Sequence, residues 1–311
     1  MGPPLTPPPR RSRLRIVLLA LIGLTLLALA GLVIAGLVSK PAEVAYQNDQ
    51  YQVPFPEATP PPLPFPNTDA EARDEVTKNS LYTQQVPLPV RCNEQLLPVG
   101  PVPDQQLKTH FESLIACMVR VWQPPVTQAG RVITRPTVTI YGDKINTKCG
   151  DSDINAFYGS ADQQLYYSNQ LVPTTPGLAN IKWADDIIMA HEYGHLVQAR
   201  AAILTSVYAL RANAATKAEN LQIGRRKEQQ ADCFSGMFTR AVSRSLGIKQ
   251  SELDQIEAVL AALGDDVLSG KPDIVGDHGW AENRRYWHIN GLASSAISVC
   301  NTFVAPASRV R

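Results

Sequence analysis

The sequence predicts an α+β fold, a small sheet followed by a helical half, standing behind an apolar N-terminal segment. Three observations lead there. Short alternating runs cluster between residues 137 and 168, helical spacing dominates after Pro176-Gly177, and residues 16–38 carry no charge.

Ile16 to Val38 form 23 consecutive uncharged residues. At about 1.5 Å per residue a helix of this run is roughly 35 Å long, enough to cross a bilayer core. Arg10, Arg11, Arg13 and Arg15 precede it, while only Lys40 follows closely. The positive-inside tendency therefore keeps the basic tail, residues 1–15, in the cytoplasm and exports the rest. A cleavable signal peptide would have a shorter apolar region, and LVSKPAEV is a poor cleavage site. A buried core helix would not be apolar on every face. The expectation is a transmembrane signal-anchor over 16–38, with the lipid bilayer as its partner.

Residues 39–79 follow as a proline-rich linker. PFPEATPPPLPFPN, residues 54–67, suits neither helix nor central strand and reads as an extended spacer. Residues 80–311 form the folded domain, with order beginning near Ser80–Cys92 and established from Asp104. Asp104 caps a helix with apolar residues at Leu107, Phe111, Leu114, Ile115, Met118 and Trp122, which Pro124-Pro125 stops. Thr137–Tyr141 alternates as a strand. Asn155–Tyr158 and Leu165–Ser168 form a hairpin across GSADQQ. Helices are expected over about 181–204, 216–246, 250–263 and 281–303.

A net charge of +1 gives no basic excess for a nucleic-acid groove. An exported chain lives where disulfides persist, so Cys92, Cys117, Cys149, Cys233 and Cys300 are bridge candidates. Cys117 lies within reach of Cys92, and an odd count leaves one cysteine without an intrachain partner.

The chemistry concentrates in MAHEYGHLVQAR, residues 189–200. Positions i and i+4 share a helix face, so His191 and His195 can offer ring nitrogens to one ion. Glu192 lies about 100° around the helix, near enough to act on a water beside that ion. A catalytic zinc wants a third protein ligand and an open fourth position. RRKEQQADCFSG supplies Glu228 as that ligand, and Asp232, four residues on, can accept the free ring N–H of a ligand histidine. Read without HEYGH, Glu228 is one more solvated charge beside Arg225, Arg226 and Lys227. His278 is a candidate donor to an oxyanion, or else a capping or core histidine. His110 and His288 lack a partner motif and read as structural, His288 as structural or exposed.

HEYGHLVQ, EQQADCFSG and a C-terminal block through His278, Gly279, Arg284, Trp287, Gly291 and Cys300-Asn301-Thr302-Phe303 resemble the neutral zinc metallopeptidase family of bacteria. Cys149-Gly150, Ala156-Phe157-Tyr158 and Leu165-Tyr166 resemble its upstream hairpin. The resemblance covers about residues 80–303. It implies a zincin-like metallopeptidase domain holding one zinc ion through His191, His195 and Glu228, with Glu192 as general base and a peptide or protein as substrate. It also pairs Cys233 with Cys300, leaving Cys92–Cys117 as the second bridge and Cys149 free. Gly159 stands where the family has a second cysteine, Leu196 where it has a histidine, and Trp280 where it has a small hydroxyl residue. With the anchor, the implied location is the bacterial plasma membrane, single-pass, with the catalytic domain outside the cytoplasm. Two other functions suit the same features: a non-catalytic zinc-stabilised module binding envelope partners, and an amidase acting on cell-wall peptides.

Overall fold

In the computed structural model, which describes residues 2, 17–19, 21–26 and 44–311, the chain divides after Ala45 into two units. Residues 17–19 and 21–26 of the first unit are helical. The remainder of the expected span 16–38, and the tail 1–15 apart from Gly2, lie outside the described residues. No helix among the described residues is long and apolar enough to cross a membrane.

The second unit, Tyr46–Arg311, starts well before residue 80. The expected spacer is laid along the domain as a strap. Gln163 and Arg200 both donate to the Pro61 carbonyl, at 2.8 and 2.9 Å, and Thr205 Oγ1 donates to that of Pro64 at 2.7 Å. Proline lacks an N–H but keeps its carbonyl, so a proline-rich strand needs only donors from the surface it crosses. Tyr51, Val53 and Leu63 pack on the core beneath it. The strap ends in helix α1 (Asp69–Thr77), whose Thr68 hydroxyl accepts from the Glu71 N–H while Glu71 accepts from that of Asn67.

Helix α2 (Asp104–Gln128) buries the apolar stripe read from its spacing, including Phe111, Leu114, Met118 and Trp122. Two details differ from the sequence reading. Pro103 holds the cap position, and Asp104 instead accepts from Asn169 at 2.6 Å. The helix also runs through Pro124 and Pro125. Proline at 124 removes the N–H that would have bonded the Arg120 carbonyl, and Asn48 Nδ2 donates there at 2.8 Å.

Strands β1 (Val138–Tyr141), β4 (Ala156–Gly159) and β5 (Gln164–Ser168) form a sheet of order β1-β5-β4. The expected hairpin is present as the antiparallel pair β4–β5, Tyr158 facing Leu165, while β1 joins β5 in parallel. Between β1 and β4 the chain forms a second, two-stranded sheet, β2 (Ile145–Thr147) and β3 (Gly150–Ser152), which the sequence did not announce. Strands β1 and β4 are the two edges of the larger sheet.

After a short α3 (Leu171–Thr174), α4 (Ala184–Arg200) runs through the middle of the domain, every residue but Asp185 buried. The expected helix over 181–204 breaks where Ala202 adopts φ +65°, and α5 (Ile203–Ala212) departs from there. Asn79 Nδ2 donates to the orphaned Ala201 carbonyl at 2.7 Å. Helix α6 (Lys217–Leu246) begins with a reciprocal cap, Thr216 accepting from Glu219 N–H and Glu219 from Ala215 N–H, and ends at left-handed Gly247.

Helices α7 (Gln250–Ala262), α8 (Asp265–Ser269) and α9 (Ala281–Ala293) complete the helical half. Helices α6 and α9 cross with their backbones almost touching: a Cβ at Gly236 would strike the His288 carbonyl, and one at Gly291 the Cys233 carbonyl. The last helix stops at Ala293 rather than near 303, because residues 295–296 turn extended and pair with Gln85 and Val86. Cys300 therefore sits on a 3-10 turn, bridged to Cys233 on α6. Cys92–Cys117 is the second bridge, and Cys149 is free and exposed.

Candidate metal centre

Helix α4 presents His191 and His195 on one face, their rings edge to face with centroids 4.8 Å apart. Helix α6 crosses it closely enough that a Cβ at Gly194 would lie 3.1 Å from the Ala231 Cα. That approach carries Glu228 to the histidines. Its Oε2 stands 3.1 Å from His191 Nε2 and 3.1 Å from His195 Nε2.

The hydrogen bonds behind the rings fix what these nitrogens can do. His191 Nδ1 lies 2.7 Å from Asp232 Oδ1, and an ionised carboxylate only accepts, so Nδ1 carries the proton. His195 Nδ1 lies 2.8 Å from Gln198 Oε1. The amide orientation of Gln198 is set independently, since its Nε2 donates to the Lys227 carbonyl at 2.8 Å and to Gln230 Oε1 at 3.0 Å. In the neutral rings both Nε2 atoms then carry lone pairs aimed at a carboxylate oxygen. Three acceptors converging on one point suit a metal cation bound between them.

Zinc fits this set. Ligand atoms 2.0–2.2 Å from a tetrahedral ion stand about 3.3–3.6 Å apart, a little wider than the 3.1 Å spacings just given. Glu192 also falls within the cluster, its nearest atom among a group of three spanning 4.8 Å with His191 and His195. It is the poorer third ligand. Its Oε1 is 4.0 Å from His191 Nε2, and its Oε2 is held by the Tyr158 backbone N–H at 3.1 Å. That N–H belongs to edge strand β4 and orients a carboxylate beside the histidines.

Charge reinforces the geometry. Burial alone would raise the Asp232 carboxyl, but the Arg284 guanidinium and His191 hold it down at about 2. Burial likewise opposes the charged form of His191, yet Asp232 and Glu228 outweigh it and raise its pKa to about 9, so a metal ion binds there in exchange for the Nε2 proton. Glu228, despite burial, is held well below the usual carboxylate range by Lys227 and His195. His288, on α9, is fully buried, and since the Ser235 hydroxyl donates to the Asp232 carbonyl at 2.7 Å, His288 Nδ1 donates to Ser235 Oγ at 2.9 Å; burial lowers its pKa to about 4.

A cavity of about 220 Å³ opens over the histidines, walled by Asn155–Tyr158 of the edge strand, by Tyr208 on α5 and by Lys227 on α6. His278 lines it too, its side chain half exposed and its backbone N–H held by Asp265 Oδ2 at 3.1 Å. The charge of Glu228 and a hydrogen bond to Asp265 raise its pKa. Thus all six residues singled out from sequence, His191, Glu192, His195, Glu228, Asp232 and His278, meet in one place. Four contributors went unassigned: Gln198, Arg284, Lys227 and the Tyr158 N–H. Only Gln198 had a local signal, three residues beyond His195 on the same helix.

The family model described as "Putative neutral zinc metallopeptidase" matches residues 79–303. The chain belongs to this family. Zinc is the metal the family implies, and hydrolysis the general class of its activity. The uncharacterized protein YpfJ of Escherichia coli is 28% identical over 225 residues, 69% of this chain and 77% of the relative. The uncharacterized protein Rv2575 of Mycobacterium tuberculosis is 28% identical over 206 residues, 60% of this chain and 67% of the relative. No solved structure matches the chain.

Proposed function

We propose that the protein is a zinc peptidase anchored in the bacterial plasma membrane by residues 16–38, its catalytic domain outside the cytoplasm. One observation carries the reading: a single oxygen of Glu228 stands 3.1 Å from the Nε2 atoms of both His191 and His195. These three residues hold one ion, and Asp232 and Gln198 orient the two rings. When bound, the ion supplies Lewis acidity and brings water into the nucleophilic range near neutral pH.

Glu192, pinned at one oxygen by the Tyr158 N–H, takes the proton of the attacking water and returns it to the leaving amine. His278, at the cavity rim, donates to the carbonyl oxygen as charge develops there. In β4 the Phe157 pair is bonded to β5, so the backbone groups of Ala156 and the Tyr158 carbonyl face the open edge, beside the Tyr158 N–H that holds Glu192. A substrate chain adds to that edge as a further strand, aligned by backbone hydrogen bonds.

The test uses the full-length protein. Zinc content, and cleavage of a peptide library with and without chelator, are compared between the wild type and Glu192→Gln. The variant should retain zinc and lose turnover by several orders of magnitude. Full activity in Glu192→Gln, or a wild type without zinc, overturns the assignment.

A further inference from the structure

Lys227 sits at the cavity wall beside His195 and Glu228, with 15% of its side chain exposed. Among the described residues its Nζ has one partner, Glu228 Oε1 at 2.5 Å. An ammonium has three N–H donors and no acceptor. Two donors therefore remain for whatever enters the cavity, and a buried donor left unspent is costly.

A neighbouring group shares this character. Tyr208, 42% exposed, lines the same wall, and its phenol, like the ammonium, has a hydrogen to give. The acidic groups lining the cavity are Glu192 and Glu228, and the peptidase reading commits one to water and the other to the ion. Once an ion offsets those two charges, and with Arg284 paired to Asp232, the Lys227 ammonium leaves the cavity electropositive.

We propose that this wall is a carboxylate-reading subsite, which selects peptides carrying an anionic carboxylate next to the bond that is cut. The proposal rests on the peptidase reading above and adds a substrate class to it. A neutral carboxamide also accepts hydrogen bonds, but a carboxylate gains the charge-assisted bond to the ammonium in a poorly hydrated pocket. The carboxylate can belong to an aspartate or glutamate side chain or to a peptide C-terminus.

Binding is measured on the full-length, zinc-loaded Glu192→Gln variant, so that turnover does not enter. The probes are fluorescently labelled, C-terminally amidated alanine pentapeptides with Glu, Gln, Leu or Lys at the centre, and the all-alanine pentapeptide both as its amide and with a free C-terminus. The Glu peptide should bind at least about tenfold tighter than the Gln peptide, the worth of one charge-assisted bond over a neutral one. If the free C-terminus shows that advantage over its amide instead, the source is the chain end and the subsite stands. Adding Lys227→Met should erase the preference, and Lys227→Arg should keep part of it.

Equal affinities for the acidic and neutral probes overturn the proposal, as does a preference that survives Lys227→Met. If the wild type cleaves peptides and holds zinc while either result is found, only the subsite is wrong. If it does neither, the peptidase reading fails and takes the subsite with it.

Discussion

Arg284 grips both carboxylate oxygens of Asp232, Nε at 3.0 Å from Oδ2 and the terminal nitrogen at 2.9 Å from Oδ1. Both side chains are buried, and the same Oδ1 receives the His191 ring. Helix α9 thus reaches through α6 to set the orientation of a residue on α4.

Arg284→Met should therefore fail in two ways at once. Leaving Asp232 as an unpaired buried charge costs about 3–5 kcal/mol of stability. Loss of the brace behind His191 weakens zinc binding by about 10–100-fold. Urea denaturation and chelator competition measure the two effects separately. Unchanged zinc affinity in a folded variant would show that Asp232 holds His191 without help.

His110 gives a pH dependence away from the metal centre. Its Nε2 lies 2.6 Å from Asp186 Oδ1 at the start of α4, and its Nδ1 lies 3.1 Å from Glu94 Oε1. Burial would lower its pKa, but the two carboxylates outweigh that and raise it to about 10. Because the folded value exceeds the unfolded value of about 6.5, the stabilisation is complete below pH 6.5 and is lost as pH rises to about 10. Across that window the unfolded chain has released a proton that the folded chain keeps, so stability falls by up to about 1.4 kcal/mol per pH unit. Urea midpoints taken from pH 6 to 10 should decline in the wild type and be flatter in His110→Gln. Parallel slopes would remove His110 as the cause.

How much of this was legible beforehand depends on whether the cause is local. The i, i+4 pairs His191/His195 and Glu228/Asp232 are facts of helix geometry, and both helices form over those residues. The β4–β5 hairpin was legible for the same reason, through a turn between alternating runs. The parallel pairing of β1 with β5 was not, because it joins segments separated by three intervening strands. Nor was the continuation of α2 through Pro124: the replacement donor, Asn48, lies 72 residues away. His110 read as structural, which it is, but its two carboxylate partners come from other segments. Lys227 read as one solvated charge among three, while packing buries it against Glu228.

The strap was the largest misreading, and it sets where a stable fragment begins. The Glu57 N–H donates to the Arg135 carbonyl at 2.8 Å, and the Glu57 carbonyl accepts from Gln164 at 3.1 Å, besides the bonds to Pro61 and Pro64. Each is worth about 1 kcal/mol, and together they tie Arg200 at the end of α4 to the β4–β5 hairpin. A fragment starting at residue 80 also loses α1 with its buried Ala72 and Val76. It should unfold at a lower urea concentration than a fragment starting at residue 44, by several kcal/mol. Equal midpoints would mean that the strap is only lodged on the surface.

Gly159 stands where the resemblance led us to expect a cysteine, and the structure shows what such a residue would meet. A Cβ built at Gly159 lies 3.5 Å from Cys149 Sγ, so the two positions are within the reach of a disulfide. The same Cβ lies 2.9 Å from Asp162 Oδ1 and 2.9 Å from Tyr166 Cε2, and both neighbours must yield by a few tenths of an ångström. Asp162 is bonded to the Tyr166 hydroxyl at 2.6 Å, so the pair shifts together. Gly159→Cys should oxidise to a protein with no titratable thiol where the wild type has one. Closing so short a loop stabilises by at most about 2–3 kcal/mol, from which the strain at Tyr166 subtracts. Thiol titration under denaturing conditions decides the matter, and two free thiols after oxidation would show that the edge strand cannot adjust to the bridge.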